Sequence, residues 1–176
     1  MKMKKLLFTF GLLFMAGSVL FGQDFEYIGA AKCKMCHNKP ATGAQYKIWA
    51  DGPHAKAMES LKSEASMKYA AENGIADPSS DAKCIGCHST AGAIDANLNM
   101  GVKPDEGVSC ESCHGPGSKY KSNAIMKDRA KAIENGMIVP DKNTCLGCHN
   151  EKNPFYKPFN YEESLKKIAH PNPAKG

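Results

Sequence analysis

The sequence predicts a mostly α-helical fold, a chain of short helices joined by long connections. Three observations point to it. Three segments carry paired helix start and stop signals, strand signals are poor throughout, and one five-residue motif recurs four times at irregular spacing in 176 residues.

In chain order, the first element lies outside the fold. Lys2, Lys4 and Lys5 form a basic start, Leu6 to Gln23 carries no charge, and Leu6 to Met15 is rich in leucine and phenylalanine before the small residues Ala16, Gly17 and Ser18. This is the layout of a secretory signal peptide. It is expected at 1–22, with cleavage near Gly22 or Gln23, although Leu20 and Phe21 fit the small-residue rule poorly. The competing reading is an uncleaved anchor, because about 18 uncharged residues is the lower limit for a bilayer span. The glycines and the polar end favour cleavage. No cysteine lies near the segment, which argues against a lipid anchor. Residues 23–176 then form one domain.

Within that domain, Asp51-Gly52-Pro53 opens a helix with proline at its first position, and Asn73-Gly74 closes it. Asn123 caps a helix over Ala124 to Asn135 that Gly136 ends. Asn160 with Glu163 resembles a capping box for a short helix stopped before Pro171. Short helical turns are expected after each copy of the recurring motif. Met137-Ile138-Val139 is a brief strand signal that runs straight into Pro140.

The motif is Cys-x-x-Cys-His. Its copies are Cys33-Lys34-Met35-Cys36-His37, Cys84-Ile85-Gly86-Cys87-His88, Cys110-Glu111-Ser112-Cys113-His114 and Cys145-Leu146-Gly147-Cys148-His149, and they use all eight cysteines. Four disulfides would account for eight cysteines in an exported chain, but give no reason for a histidine after every second one. Zinc sites built from paired Cys-x-x-Cys units leave the four adjacent histidines unexplained. A thioredoxin-like pair needs a strand-helix context that is missing. Covalent haem c explains every residue type: two thiols add across the porphyrin vinyl groups, and the next histidine reaches the iron.

The expectation is four covalently bound haem c groups. Cys33, Cys36, Cys84, Cys87, Cys110, Cys113, Cys145 and Cys148 attach them, and His37, His88, His114 and His149 are proximal iron ligands. Such attachment takes place outside the bacterial cytoplasmic membrane, so cofactor and export agree on the periplasm. The motif starts are 51, 26 and 35 residues apart, which excludes a solenoid or simple duplication. Each haem has about 40 residues, so the porphyrins cannot be insulated from one another. The fold class is therefore a small multihaem cytochrome c fold, helices and long loops wrapped around four closely packed haems.

Histidine arithmetic constrains the sixth ligands. Six histidines are present and four belong to the motifs, which leaves His54 and His170 as distal ligands. At most two irons are then bis-histidine within one chain; the others need methionine, lysine, tyrosine, water or an open position. His54, Met58, Leu61 and Ala65 fall on one helical face, suited to a flat apolar macrocycle. His170 follows the final helix. Met126, on a capped helix after the third motif, is the best thioether candidate, although buried methionine is most often filler.

Charge excludes one class of partner. The formal charge of +5 falls to about +2 without Lys2, Lys4 and Lys5, and four ferric haems with ionised propionates bring it to about −2. Lysines are interleaved with acids and Arg129 is the only arginine, so nucleic acid is not expected as a partner.

Three stretches resemble the tetrahaem cytochrome c-554 family. They are Tyr27-Ile28-Gly29 through His37 with Trp49 and His54-Ala55; Gly107-Val108 through Cys113-His114-Gly115-Pro116-Gly117-Ser118; and Ile138 to Pro140 leading through Cys145 to Asn150, then Phe159 and Lys167 to His170. The resemblance implies a mostly α-helical fold with closely stacked haem pairs and distal histidines from outside the motifs. One departure stands out: relatives often place a distal histidine just after Cys-His-Gly-Pro-Gly, where this chain has Ser118-Lys119-Tyr120-Lys121.

Small size, export and the lack of a separate substrate domain favour an electron carrier, soluble or loosely membrane-associated. Its partners are expected to be periplasmic or membrane-bound redox proteins, met through small transient contacts. The alternative is a haem enzyme or ligand-binding subunit acting on nitric oxide, nitrite or peroxide at an open or weak sixth position. Lys119, Tyr120 and Arg129 are its candidate proton donors, each read first as a solvated surface residue.

Overall fold

The computed structural model describes residues 25–173; the proposed signal segment lies outside them. The described residues form short helices: α1 (Ala30–His37), α2 (Gln45–Asp51), α3 (Ala57–Ser60), α4 (Glu64–Glu72), α5 (Ala82–His88), α6 (Thr90–Ala93), α7 (Cys110–His114), α8 (Asn123–Met126), α9 (Arg129–Glu134), α10 (Lys142–Leu146) and α11 (Tyr161–Ile168). Single 3-10 turns stand at Pro40–Thr42, Ala96–Leu98 and Pro104–Glu106. Among the described residues there is no strand. Tyr27 makes one isolated parallel bridge to Asn99, with Tyr27 N–H donating to Leu98 O at 2.8 Å and Met100 N–H to Tyr27 O at 2.8 Å.

Two expected helices break in the middle. From Pro53 the chain makes turns, then α3, then α4, whose N-cap Ser63 accepts from Ser66 N–H at 3.3 Å. The segment from 123 splits into α8, capped by Ser122 rather than Asn123, and α9, capped by Asp128 accepting from Lys131 N–H at 3.2 Å. In both cases an internal Ser or Asp satisfies the orphan N–H groups of a new helix better than it continues an old one. The stops fall as expected, with Gly74 at φ 68° and Gly136 at φ 94°. Asn160 caps α11 by accepting from Glu163 N–H at 3.2 Å. The attachment motifs are themselves helical, with α1, α5 and α7 each ending on the motif histidine, and the expected short turns follow the first two as Pro40–Thr42 and α6. The 137–139 segment forms no strand, and Ile138 N–H donates to His114 O at 2.8 Å instead.

The core is thin. Among the described residues the buried apolar side chains are Ile28, Ala30, Leu61, Ala70, Pro78, Val102, Tyr120 and Ala132, three of them alanine. Large apolar side chains such as Met35, Met100, Ile138 and Phe155 are exposed. A domain of this length normally buries about two thirds of its surface around large aliphatic and aromatic residues. These apolar groups therefore fit a fold that packs against macrocycles as much as against itself.

The N-terminal stretch binds the chain together. The Phe25 ring lies against Gly136, where a Cβ would come within 2.7 Å of it. Glu26 exchanges hydrogen bonds with Ser118, from Glu26 N–H to Ser118 Oγ at 2.9 Å and from Ser118 N–H to Glu26 O at 3.1 Å. This lays the entry to α1 along the loop that follows α7.

Candidate haem sites

The motif spacing becomes geometry through the helix. Cysteines three positions apart, and a histidine four after the first, share one helical face. In the first three motifs α1, α5 and α7 supply that face. In the fourth, His149 N–H still donates to Cys145 O at 2.9 Å, so the turn continues past α10.

The thiols of different motifs are neighbours. A hydrogen bond from Cys110 lowers the Cys33 thiol and, with burial, pushes the Cys110 thiol up. Burial, followed by the nearby Cys87, pushes the Cys148 thiol up to about 11. Cys113 is raised by burial and then by Cys145. The first motif thus meets the third, the second meets the fourth, and the third meets the fourth.

Three motif histidines have their Nδ1 occupied by an oxygen. His88 Nδ1 lies 2.8 Å from Ala57 O and His114 Nδ1 3.3 Å from Ile138 O. His37 Nδ1 lies 3.3 Å from Gln45 Oε1. A carbonyl oxygen can only accept, so Nδ1 carries the proton and Nε2 keeps the lone pair that a metal requires.

The two non-motif histidines each face a motif histidine. Ring centres are 6.1 Å apart for His54 and His149, and 5.9 Å for His114 and His170. Two imidazoles on opposite faces of one metal, with metal–nitrogen bonds of about 2 Å, bring their ring centres about 6 Å apart. Burial holds all four rings below the usual imidazole range, in the neutral form that ligates. The spacing, the fixed tautomers and the thin core all fit haem. Among the described residues no group of three or more His, Cys, Asp or Glu converges, as a tetrahedral zinc site would require.

Backbone contacts place these rings. Val108 N–H donates to His54 O at 2.9 Å, and Trp49 Nε1–H to Val108 O at 2.9 Å. Gly107, at φ +68°, passes so close that a Cβ would lie 2.5 Å from His54 O. His54 therefore sits in a turn pinned by the chain entering the third motif, not on the helical face expected from the sequence. Gln45 serves two sites: its Oε1 meets His37 while its Nε2–H donates to Pro171 O at 2.8 Å beside His170. Phe159 stacks on His149 at 4.7 Å and 17°.

Met126 is half-buried on α8. Lys119 and Arg129 are exposed. Tyr120 is not the surface residue expected: it is buried, and its hydroxyl donates to His114 O and Gly115 O at 3.1 and 2.9 Å. Burial raises its phenol further, so its proton is committed to the main chain. The sequence assigned Gly107 and Gln45 no such role; Gly107, beside a motif, carried a local signal and Gln45 none.

Paired thiols with an adjacent histidine on short helices, and imidazoles facing each other across the chain, define a c-type cytochrome. The family model for cytochrome c554 and c-prime matches residues 32–115, which span the first three motifs. Cytochrome c-554 of Nitrosomonas europaea is 38% identical over 168 aligned positions, covering 81% of this chain and 69% of the relative. No solved structure matches the chain. The chain belongs to the cytochrome c-554 family, electron carriers with covalently bound haem c.

Proposed function

We propose that the protein is an exported, periplasmic tetrahaem electron carrier with two bis-histidine irons. The observation that carries this is the pair of imidazole spacings, 6.1 Å for His54–His149 and 5.9 Å for His114–His170. His54 serves the fourth motif and His170 the third. His37 and His88 are left without a histidine opposite, and Met126 is the thioether candidate for one of those sixth positions.

Bound haem c supplies one-electron iron chemistry, and its axial ligands tune the potential. The chain's task is to hold unequal ligand sets close together. Imidazoles with Nδ1 tied to oxygens keep their orientation, and adjoining thiols keep the attachment points contiguous. Among the described residues no helix is long and apolar enough to cross a membrane. Partners are periplasmic or membrane-bound redox proteins, and loose membrane association is compatible with the uncharged N-terminal segment.

Ferric electron paramagnetic resonance with a haemochrome count tests this. The expected result is four haems, two of them low-spin and bis-histidine, and ligand-insensitive spectra. A high-spin signal that shifts on adding nitric oxide or cyanide would assign a ligand-binding or catalytic role instead. A red-end thioether band lost in Met126→Ala would assign that ligand; its absence from the parent would exclude it.

A further inference from the structure

Glu111 lies inside the third motif, 2% exposed, and is the largest fully buried side chain among the described residues. Its Oε1 accepts from Gly117 N–H at 2.6 Å and Ile28 N–H at 3.0 Å. Its Oε2 accepts from Gly29 N–H at 2.8 Å and Ile28 N–H at 3.1 Å. All of these partners are donors, which suits a carboxylate; the O–H of a protonated carboxyl would point at N–H groups. Glu111 belongs to none of the ion pairs among the described residues, which are Lys47–Asp51, Lys68–Glu72, Lys131–Asp128 and Lys166–Glu163.

What balances the charge is main chain. Three N–H groups surround it, and α1 begins at Ala30, immediately after Gly29, with the positive end of its dipole turned this way. Glu106 Oε2 accepts from Ala30 N–H at 3.0 Å, so two carboxylates share one helix start. Replacing Gly29 is barred as well: at φ +82°, a Cβ would lie 2.3 Å from Gly101 O. Holding a buried carboxylate by dipoles alone is costly, so a core latch of this kind invites a second role.

We propose that Glu111 is a positioning residue that locks the first and third motifs together, and that its fixed negative charge holds the potentials of the haems attached there low. This rests on the haem reading above. Reduction removes one positive charge from an iron site, and a nearby buried anion opposes that removal. Glu111 stands between Cys110 and Cys113, and its carboxylate is held by Ile28 and Gly29 at the start of α1, the helix that carries Cys33 and His37. Its hydrogen bonds run to Ile28 and Gly29 before the first motif and to Gly117 after the third, so the effect centres on those two motifs.

The test is a site-resolved redox titration of the haem-loaded protein carrying Glu111→Gln, with amide exchange at Ile28, Gly29 and Gly117. A haemochrome count of four on the same sample checks the haem reading separately. The expected result is a shift of roughly three- to tenfold towards the reduced form at the first and third haems. The second and fourth haems stay in place, the three amides exchange faster, and Glu111→Asp restores part of both effects. Unchanged potentials, or equal shifts at all four haems, overturn the proposal. If Glu111→Gln does not mature, Glu106→Gln decides: its amide oxygen still accepts from Ala30, so a rise confined to the first haem supports the charge effect, and no rise overturns it.

Discussion

Around the first and third motifs, hydrogen bonds reach across the chain: Ile28 and Gly29 bind Glu111 over 83 and 82 positions, and Glu26 binds Ser118 over 92. Ile28, Ala30, Val102 and Tyr120 are buried there. From 141 to 173 no residue is buried. Its caps and turns close locally, as when Asp141 accepts from Thr144, Asn150 donates to Leu146 and Asn160 accepts from Glu163. Ring contacts tie this segment back, together with the hydrogen bond from Gln45 to Pro171 O. His149 faces His54, His170 faces His114, and Phe155 meets Tyr69 edge-on at 5.6 Å. The contrast teaches that one region of the molecule is positioned by its own main chain, while the other is positioned largely through side chains, the candidate iron ligands among them.

The sharpest way to break this contrast is Glu111→Ala, which leaves three buried N–H groups without their acceptor. It is expected to cost about 3–5 kcal/mol, read as a lower denaturation midpoint than any single change within 141–173 produces. Next is Gly107→Ala, which combines a left-handed backbone with a Cβ against His54 O. A loss of about 1–3 kcal/mol is expected, together with a high-spin ferric signal as His54 moves. His170→Ala probes the other region. One iron is expected to turn high-spin and α11 to become protease-sensitive, while the Ile28 and Gly29 amides stay protected; loss of that protection would erase the distinction. The smallest effect is Phe159→Ala, expected to cost about 0.5–1.5 kcal/mol through its stack on His149, measured as a small shift in the thermal midpoint.

The chemistry of attachment was legible because it is written in contiguous residues: two cysteines and a histidine on one helical face need no long-range information. Helix stops at Gly74 and Gly136 and the cap at Asn160 were legible for the same reason. The helix breaks at Ser63 and Asp128 were not, since a polar residue within a helical pattern reads equally as surface or as cap. Which motif histidine each of His54 and His170 faces was out of reach, because it depends on packing over 95 positions for His54–His149 and 56 for His114–His170. Glu111 was hidden more completely. As a variable position inside a motif it reads as spacer, and two of its three partners, Ile28 and Gly29, lie at the far end of the domain.

The central claim is that this chain builds two bis-histidine irons from assigned partners. A crystal structure of the haem-loaded protein, read at the iron ligands, tests it most directly. The account predicts one iron between His54 and His149, another between His170 and His114, and no histidine opposite His37 or His88. A distal histidine on the first or second motif's iron, or His54 and His170 exchanged, would contradict it.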